Sequence, residues 1–330
     1  MRFAIIGCGL IGRKRLRSFG GKHQLVAAVD SVLGRAQELT SQSPGASATT
    51  NWQDVICRSD VDAVIVSTTN QWLAPVSQAA IAAGKHVLVE KPAARNLNEL
   101  LHLLPAAESK KVCVQVGFNH RYHPGIQRAR EIVDSGALGP LMFVRGRYGH
   151  GGRLGYETEW RSVPEISGGG ELLDQGVHLI DLAGWFLGPF VQIQGFAHTY
   201  FWNMPVEDNG FMLLRTAQNQ VAQLHASCTE WKNLFSFEIY GRDGKLHIEG
   251  LGGSYGVERL YFYKMLPQMG PPETTIWEFP GDDLSWYREL EAFCACIEKG
   301  ATPNPGLPEA VAVLQVVDRI YRYSNHDHHT

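Results

Sequence analysis

The sequence predicts an α/β protein: a doubly wound parallel sheet, followed by a second domain with a mainly antiparallel open sheet. Three observations lead to this fold class. The chain opens with a short apolar run, residues 3–6, and a glycine-rich turn. Apolar strand-like runs then alternate with helical segments to about residue 121. Beyond the glycine at 136, strand-like segments follow one another with turn signals between them. We therefore predict domains at 1–121 and 122–330.

The turn after the first strand has the spacing of a dinucleotide-binding loop. Gly7 would permit the tight turn, Gly9 would let the backbone approach a pyrophosphate, and Gly12 would allow close helix–strand packing. The helix that begins at Leu10 and Ile11 would direct free N–H groups and the positive end of its dipole toward the phosphates.

The acidic residue that such a site requires comes at the end of the second strand. Residues 25–29 are apolar and lead into Asp30. A carboxylate there accepts hydrogen bonds from the ribose 2′-hydroxyl and repels a 2′-phosphate, which predicts NAD rather than NADP. The competing signal is the basic run 13–17. We interpret it as a solvated helix face in which Arg13 is the residue that could reach a phosphate.

Further cofactor contacts are expected where other strands of the parallel sheet end, because ligands bind at that edge. Ser67, Thr68 and Asn70 follow one strand, and Glu90 and Lys91 follow the next. A lysine at a strand end is most often a surface residue. Here Pro92 follows it and stiffens the turn, which favours a functional lysine over a solvated one.

The segment 168–187 has the pattern of a buried helix. Asp174, His178 and Asp181 lie at spacings of four and three, on one stripe of an otherwise largely apolar circumference. A polar stripe on a buried helix must face polar surroundings, since an unpartnered carboxylate in a core is costly. A substrate cleft would meet that requirement. The alternative is an ordinary Asp–His pair on a surface helix.

Four motifs occur together in a known order. They are the glycine fingerprint, the run Ala-Gly-Lys-His-Val-Leu-Val-Glu-Lys-Pro at 83–92, the run Gly-Phe-Asn-His-Arg-Tyr-His-Pro at 117–124, and the glycine-led helix. In this combination the chain resembles the glucose-fructose oxidoreductase/inositol dehydrogenase (Gfo/Idh/MocA) family. The resemblance implies a nicotinamide cofactor, a sugar or cyclitol substrate, and catalytic roles for Lys91, Asp174 and His178. Residues 68–73 depart from the family, which often has a proline and a histidine in this loop.

These residue types suit the oxidation of a secondary alcohol. His178 would accept the hydroxyl proton, since an imidazole has an ordinary pKa of ~6.5. Lys91 would stabilise developing negative charge on the oxygen, and Asp174 would bind a neighbouring hydroxyl or orient the group. No metal is required. The expected substrate-binding residues are Lys91, Arg121, Tyr148, Trp160, Arg161, Asp174 and His178. The arginines and aromatics of the loop 148–167 would suit an anionic or nucleotide-linked sugar. They would equally suit a solvated loop or a subunit contact.

Three alternatives to a dehydrogenase remain open on the sequence. An NAD-dependent glycosidase, which uses transient oxidation and elimination, would keep the same residues. A non-catalytic sensor of dinucleotide and sugar would have no need of Lys91, Asp174 and His178 together. A nonredox dinucleotide-binding scaffold protein would not reduce the cofactor.

Composition narrows the cellular context. The chain has 330 residues and a net charge of −3, which gives no reason to expect nucleic acid or an anionic membrane as partner. No apolar run reaches the ~18–20 residues that span a bilayer. Six scattered cysteines without a CxxC motif predict reduced thiols and a cytoplasmic location. An apolar outer face on the second sheet predicts a homodimer or homotetramer. The histidine-rich tail 326–329 is expected to be a frayed terminus rather than a metal site.

Overall fold

A computed structural model describes residues 1–268 and 270–324, so the histidine-rich tail lies outside the described residues. The chain divides into two units. The first contains Met1–Phe118, Glu165–Gly168 and Trp286–Leu314, and the second contains Asn119–Pro164, Gly169–Ser285 and the chain from Gln315. The predicted division at 121/122 lies close to the first boundary, but it makes each domain continuous in sequence. In the structure, residues 165–168 and 286–314 belong to the first unit.

The first unit is built on a six-stranded parallel sheet. Its strands are β1 (Arg2–Ile6), β2 (Gln24–Val29), β3 (Ser47–Thr49), β4 (Ala63–Val66), β5 (His86–Glu90) and β6 (Val114–Gly117). Their order across the sheet is β3-β2-β1-β4-β5-β6, and every pair is parallel. The strand order reverses between β1 and β4. Dinucleotides bind outside the carboxyl ends of the strands at such a reversal.

Six helices connect these strands: α1 (Leu10–Arg17), α2 (Leu33–Thr40), α3 (Trp52–Ile56), α4 (Asn70–Ala82), α5 (Leu97–Leu101) and α6 (Leu103–Lys110). The break at His102 between α5 and α6 has a local cause. Pro105 has no N–H to donate to the carbonyl of Leu101, and its ring crowds that carbonyl. The sequence predicted a kink here, and the structure has two helices.

The second unit contains helix α7 (Pro124–Asp134) and an eight-stranded sheet. Before its second strand come a π-helical turn (Leu172–Gly176) and α9 (Val177–Leu187), preceded in the chain by α8 (Pro164–Ser167), most of which belongs to the first unit. The strands are β7 (Leu141–Gly149), β8 (Phe190–His198), β9 (Asn209–Thr216), β10 (Val221–Ser227), β11 (Leu234–Gly241), β12 (Gly244–Glu249), β13 (Glu258–Lys264) and β14 (Glu273–Phe279). Their order is β14-β13-β12-β11-β7-β10-β9-β8, and only β7 and β10 pair in parallel among these strands. The predicted mainly antiparallel sheet is confirmed.

Side chains of this sheet alternate between a buried face and an outer face, as the two-residue period requires. Leu214, Leu224 and Phe237 are buried, while Phe211 and Leu213 are exposed. In the paired strands, Phe196 of β8 lies opposite Phe211 of β9, so that large apolar side chains share the outer face. None of the helices within 1–268 and 270–324 has the length and hydropathy needed to cross a bilayer.

Two helices follow the sheet: α10 (Ser285–Lys299) and α11 (Leu307–Ser324). Leu290 and Phe293 of α10 belong to one hydrophobic core with Phe3, Ile5 and Leu25 of the first two strands. This packing explains why the chain returns to the first unit after the second sheet. The sequence predicted the helix but not its place.

A buried ion triad accompanies that packing. Arg15 of α1 is 0% exposed, and its Nε donates to Glu90 Oε1 at 2.6 Å. Its Nη1 donates to Glu289 Oε2 of α10 at 2.5 Å. Burial would lower the pKa of Arg15, but the charges of Glu289 and Glu90 raise it above its usual value. The interpretation of the run 13–17 as a solvated helix face was therefore wrong at Arg15.

We predict that Arg15→Met destabilises the protein by about 3–5 kcal/mol, because two buried carboxylates would lose their shared cation. Denaturant unfolding followed by circular dichroism measures this loss. Arg17→Met is the matched control, since Arg17 is an exposed residue of the same helix. Its effect should stay within about 0.5 kcal/mol. Equal effects of the two substitutions would contradict a structural role for the triad.

Candidate active site

The glycine turn between β1 and α1 contains glycines of two kinds. Gly7 has φ +97°, and a Cβ there would lie 2.4 Å from the Ser67 carbonyl oxygen. A Cβ on Gly12 would lie 2.1 Å from the Gly7 oxygen. Packing within the chain therefore requires glycine at both positions 7 and 12. At Gly9 a Cβ would meet no atom within 4 Å, so this backbone borders open space. That open approach is what a pyrophosphate needs, and the loop fits the expected cofactor.

Asp30 connects the end of β2 to this turn. Its Oδ2 accepts from the Cys8 amide at 2.8 Å, and its Oδ1 accepts from the Val32 amide at 2.9 Å. The cation beside it is Arg35, whose Nη1 lies 3.8 Å from Asp30 Oδ1. Arg13, which the sequence suggested for a phosphate, is bound to Glu38 at 2.9 Å. Arg35 is therefore the better candidate for contact with a 2′-phosphate.

Several of the other expected cofactor residues have partners within the first unit. Ser67 Oγ donates to the Gly7 oxygen at 2.7 Å, and Thr68 Oγ1 donates to the Thr69 oxygen at 3.1 Å. Asn70 Nδ2 donates to the Ser167 oxygen at 2.7 Å. These contacts shape the edge of the sheet, as does the Glu90 pairing with Arg15. Cofactor contacts by these residues stay predictions.

The side chains at the tip of the glycine turn and after β5 are more accessible. Leu10, the first residue of α1, is exposed, and Ile11 is half-buried. Lys91 follows β5 directly and is half-buried. The turn after it is closed by a hydrogen bond from the Ala93 amide to the Glu90 oxygen at 2.9 Å. The backbone that carries Lys91 is thereby fixed on both sides.

In the second unit, His178 lies in the first turn of α9 and is buried. Its ring stacks on that of His120, with centroids 3.7 Å apart and planes at 18°. Tyr148 approaches His120 edge-on at 5.0 Å, and Phe235 does so at 5.8 Å. Burial, and secondarily the neighbouring Tyr255, raises the pKa of Tyr148 well above its usual value. These ring contacts limit the orientations open to His178.

Asp174 lies in the π-helical turn before α9 and does not continue a regular α-helical stripe. Its Oδ2 accepts from Arg161 Nε at 3.0 Å, and the charge of Asp174 is the main reason that the pKa of Arg161 is raised. The π turn adds a residue between Asp174 and the regular helix. Such insertions occur frequently at functional sites.

The third member of the predicted stripe has a different partner. Asp181 is buried, and its two oxygens accept from Arg121 Nε at 2.8 Å and Arg121 Nη2 at 2.6 Å. The bidentate geometry makes this a strong pair. The prediction that Asp181 faces a cleft with Asp174 and His178 was wrong. Arg121 has a structural contact here, and its contact with substrate stays a prediction.

The arginines of the loop 148–167 are compensated by acidic residues. Arg153 pairs with Glu159 at 2.6 Å, and Arg161 lies 3.7 Å from the same carboxyl group as well as pairing with Asp174. Trp160 packs against the Arg161 guanidinium, with Cζ 4.6 Å from the ring centroid. His150 lies 3.7 Å from Glu171. Neither arginine is therefore an uncompensated cation, which disfavours the anionic sugar that the sequence left open.

Two residues of this region were missed by the sequence reasoning. His120 is the stacking partner of His178, and the only signal was its place in the motif at 117–124. Glu207, which contacts the segment before the π turn, had no motif around it. Across residues 1–268 and 270–324, no group of three or more histidine, cysteine or acidic side chains could hold a metal ion.

Comparisons with known proteins identify the family. Residues 1–118 match the model of the oxidoreductase family with an NAD-binding Rossmann fold. Residues 126–247 match the model of the GFO/IDH/MocA C-terminal domain. The first unit is therefore an NAD-binding Rossmann domain, and the protein is an oxidoreductase. The chain belongs to the Gfo/Idh/MocA family, as the sequence motifs predicted.

Individual relatives have low identity over long stretches. Levoglucosan dehydrogenase of Pseudarthrobacter phenanthrenivorans is 26% identical over 313 residues, which cover 83% of this chain and 80% of that protein. Inositol 2-dehydrogenase of Salmonella typhimurium is 32% identical over 192 residues, covering 57% of this chain and 54% of that enzyme. A solved complex of levoglucosan dehydrogenase with NADH and levoglucosan has a TM-score of 0.89 at 21% identity, over 99% of this chain and 98% of that one. This last similarity shows the shared fold.

We predict that NAD binds more tightly than NADP, because the Asp30 carboxylate repels a 2′-phosphate. Asp30→Asn keeps an acceptor for the Cys8 amide but removes the charge. It should weaken the binding of NAD and strengthen that of NADP, so that the ratio of their dissociation constants moves toward one by about tenfold or more. Calorimetric titration measures both constants. Adding Arg35→Ala to Asp30→Asn should reverse the gain in affinity for NADP. Equal affinities in the wild type would contradict the prediction.

Proposed function

We propose that this protein is an NAD-dependent dehydrogenase that oxidises a secondary hydroxyl of an uncharged sugar or cyclitol. The observation that carries the proposal is the buried, oriented imidazole of His178 with the Asp174 carboxylate before it, in a chain with an NAD-binding domain. Several relatives are named as dehydrogenases of levoglucosan, inositol and xylose, which supports this substrate class.

The chain's own residues would move the proton and stabilise charge. NAD, when bound, supplies the acceptor for the hydride that leaves the substrate carbon. His178 would take the hydroxyl proton as the carbonyl forms. Lys91 would donate a hydrogen bond to the same oxygen and stabilise the negative charge that develops there. Asp174 would accept a hydrogen bond from a neighbouring hydroxyl.

The charge balance of the substrate loop supports an uncharged substrate. Arg153 and Arg161 are paired with Glu159 and Asp174, so a phosphate or carboxylate would have to displace an existing ion pair. Hydroxyl groups can instead donate hydrogen bonds to carboxylates without displacing a charge. The substrate is in this respect unlike the nucleotide-linked sugars that some relatives reduce.

A panel of substrates tests the proposal. NAD reduction should be seen with neutral sugars, anhydrosugars or cyclitols, and should be at least about tenfold slower in kcat/KM with sugar acids, sugar phosphates and nucleotide sugars. Turnover of charged sugars alone would refute the proposal that the substrate is uncharged, but the protein would still be a dehydrogenase. NAD binding without any turnover would favour a sensor. Sugar cleavage without net NAD reduction would favour the glycosidase.

We predict that His178→Ala and Lys91→Ala each lower kcat by at least about a hundredfold, because each removes a group that acts on the reacting oxygen. NAD should still bind to both variants. The double variant should lose much less than the product of the single losses, since the two groups serve one proton transfer. Steady-state kinetics with a substrate from the panel measures this.

Exposed residues of the first unit provide the controls, His102→Ala and Lys110→Ala, and both should retain wild-type turnover. Asp174→Asn should raise KM at least as much as it lowers kcat, if Asp174 binds substrate. Near-normal turnover of His178→Ala across the pH range would remove His178 from the mechanism.

We also propose a homodimer or homotetramer in the cytoplasm, joined through the outer face of the eight-stranded sheet. Phe196, Phe211 and Leu213 form an exposed apolar patch there, which is unusual for a monomer. Reduced thiols suit the location, because all six cysteines are free.

We predict that Leu213→Glu shifts the protein toward the monomer, since a buried carboxylate without a partner disfavours the interface. Light scattering after size-exclusion chromatography measures the mass. Lys110→Glu on α6 should leave the mass unchanged. A monomeric wild type at micromolar concentration would contradict the proposal.

A further inference from the structure

A buried carboxylate lies directly beneath the start of the segment that carries Asp174 and His178. Glu207, two residues before β9, is 0% exposed. Its Oε2 accepts from the Gly170 amide at 3.0 Å, and its Oε1 accepts from the Leu172 amide at 3.1 Å. The Glu207 backbone oxygen also accepts from the Glu171 amide at 2.9 Å. One residue thus satisfies three consecutive amides ahead of the π turn.

The fit leaves no room for larger residues. A Cβ on Gly170 would lie 2.0 Å from the Glu207 carbonyl oxygen, and a Cβ on Gly169 would lie 2.0 Å from the Tyr321 hydroxyl oxygen. That hydroxyl donates to Glu207 Oε1 at 2.7 Å. Two of the three consecutive glycines are therefore explained by contact with this anchor.

The carboxylate form and the protonated form of Glu207 make different hydrogen bonds. Three donors, the two amides and the Tyr321 hydroxyl, converge on the two carboxylate oxygens. A proton on one oxygen removes the charge and uses one of its lone pairs, and of the three donors only the Tyr321 hydroxyl can turn to accept it. The hydrogen bonds from the buried amides then weaken, because a neutral acid is a poorer acceptor than a carboxylate, and this favours movement of the backbone.

We infer that Glu207 is a positioning residue for the reaction of Asp174 and His178, holding their segment in place as a carboxylate and releasing it on protonation. This inference rests on the proposed dehydrogenase function. It adds to that function a proton-sensitive anchor outside the groups that would touch substrate.

The ionisation of Glu207 falls in a useful range. Burial raises its pKa to about 7, while the hydrogen bonds from Tyr321, Gly170 and Leu172 act in the opposite direction. The other titratable groups around it are Tyr321 on α11, Glu171 beside the π turn, Asp208 next in the chain and Cys228 after β10. Burial raises the pKa of Tyr321 and of Cys228, so both remain neutral when Glu207 titrates.

The first test is the pH dependence of kcat/KM in the wild type, Glu207→Gln and Tyr321→Phe. The wild type should lose activity below about pH 7 as Glu207 is protonated. Glu207→Gln imitates the protonated form, so it should lower kcat/KM by about tenfold or more at pH 8, chiefly through KM. It should also remove the ionisation of Glu207 from the pH profile. Tyr321→Phe removes a donor that lowers the pKa of Glu207. Its activity should therefore be lost at a higher pH than that of the wild type.

Glu258→Gln provides a matched control. Glu258 is a buried carboxylate of the same unit that accepts from the Gly125 amide at 2.6 Å, at the start of α7. Its substitution should reduce stability without removing an ionisation from the pH profile. An unchanged profile in both Glu207→Gln and Tyr321→Phe would overturn the inference. Tyr321→Phe alone decides the question if Glu207→Gln does not fold.

A second measurement does not need a substrate. Hydrogen exchange of the Gly170 and Leu172 amides should be slow in the wild type above pH 7, after correction for the intrinsic pH dependence. It should be at least tenfold faster in Glu207→Gln. If no substrate of the panel is turned over but the exchange changes in this way, the proposed dehydrogenase function is refuted and the role of Glu207 as an anchor stands. Unchanged exchange would remove the anchor whatever the panel shows.

Discussion

The packing of helices α1 and α10 on the sheet of the first unit depends on a guanidinium that has no contact with solvent. Arg15 joins α1, which follows the glycine turn, to Glu90 at the end of β5 and to Glu289 of α10. Glu90 directly precedes Lys91, so the residue expected to act on substrate follows a fixed point of the sheet. Removing one partner of such a triad leaves an uncompensated charge in the core, which makes its members mutually dependent. The return of α10 to the first unit is held by the same charges and by the apolar contacts of Leu290 and Phe293.

Much of the fold could be predicted because its signals are local. The glycine spacing, the apolar strands β1, β4 and β5 and the alternating pattern of β9 to β12 each lie within ten residues. The short strand β3 has only three half-exposed or exposed residues and gives no periodic signal. Helix α2 lacks a side-chain cap, and its sequence was not assigned. The strand β13 follows a glycine-rich loop, and its outward side chains include tyrosines and charges, which obscured the alternation. The position of α10 depends on contacts more than two hundred residues apart, as in the Arg15–Glu289 pair.

In the candidate site, too, local signals could be predicted and long-range contacts could not. Lys91, Asp174 and His178 could be proposed because the family motifs place them, and Asp30 because it ends a strand at the expected distance. Pairing partners could not be predicted, since several residues of each sign are available to every charge. Regular α-helical geometry predicts one stripe for Asp174, His178 and Asp181. The π turn displaces Asp174 from that stripe, whereas Asp181 stays three residues from His178 in α9 and is paired with Arg121. The basic run at 13–17 looked solvated for a similar reason, because burial of Arg15 requires two carboxylates that lie far away in sequence.

Buried carboxylates hold the beginning of several segments in this protein, and they do so over long sequence separations. Asp30 accepts from an amide 22 residues before it in the glycine turn, Glu207 from amides 35 and 37 residues before it, and Glu258 from an amide 133 residues before it. Amides at the start of a helical segment have no acceptor within the segment, so a distant side chain must supply one. A carboxylate does this best, because it accepts several hydrogen bonds and its charge complements the helix dipole. Burial opposes this role through the loss of hydration. At Glu207, below the Asp174–His178 segment, that loss raises the pKa toward neutrality, so this residue combines structural strength with sensitivity to protons.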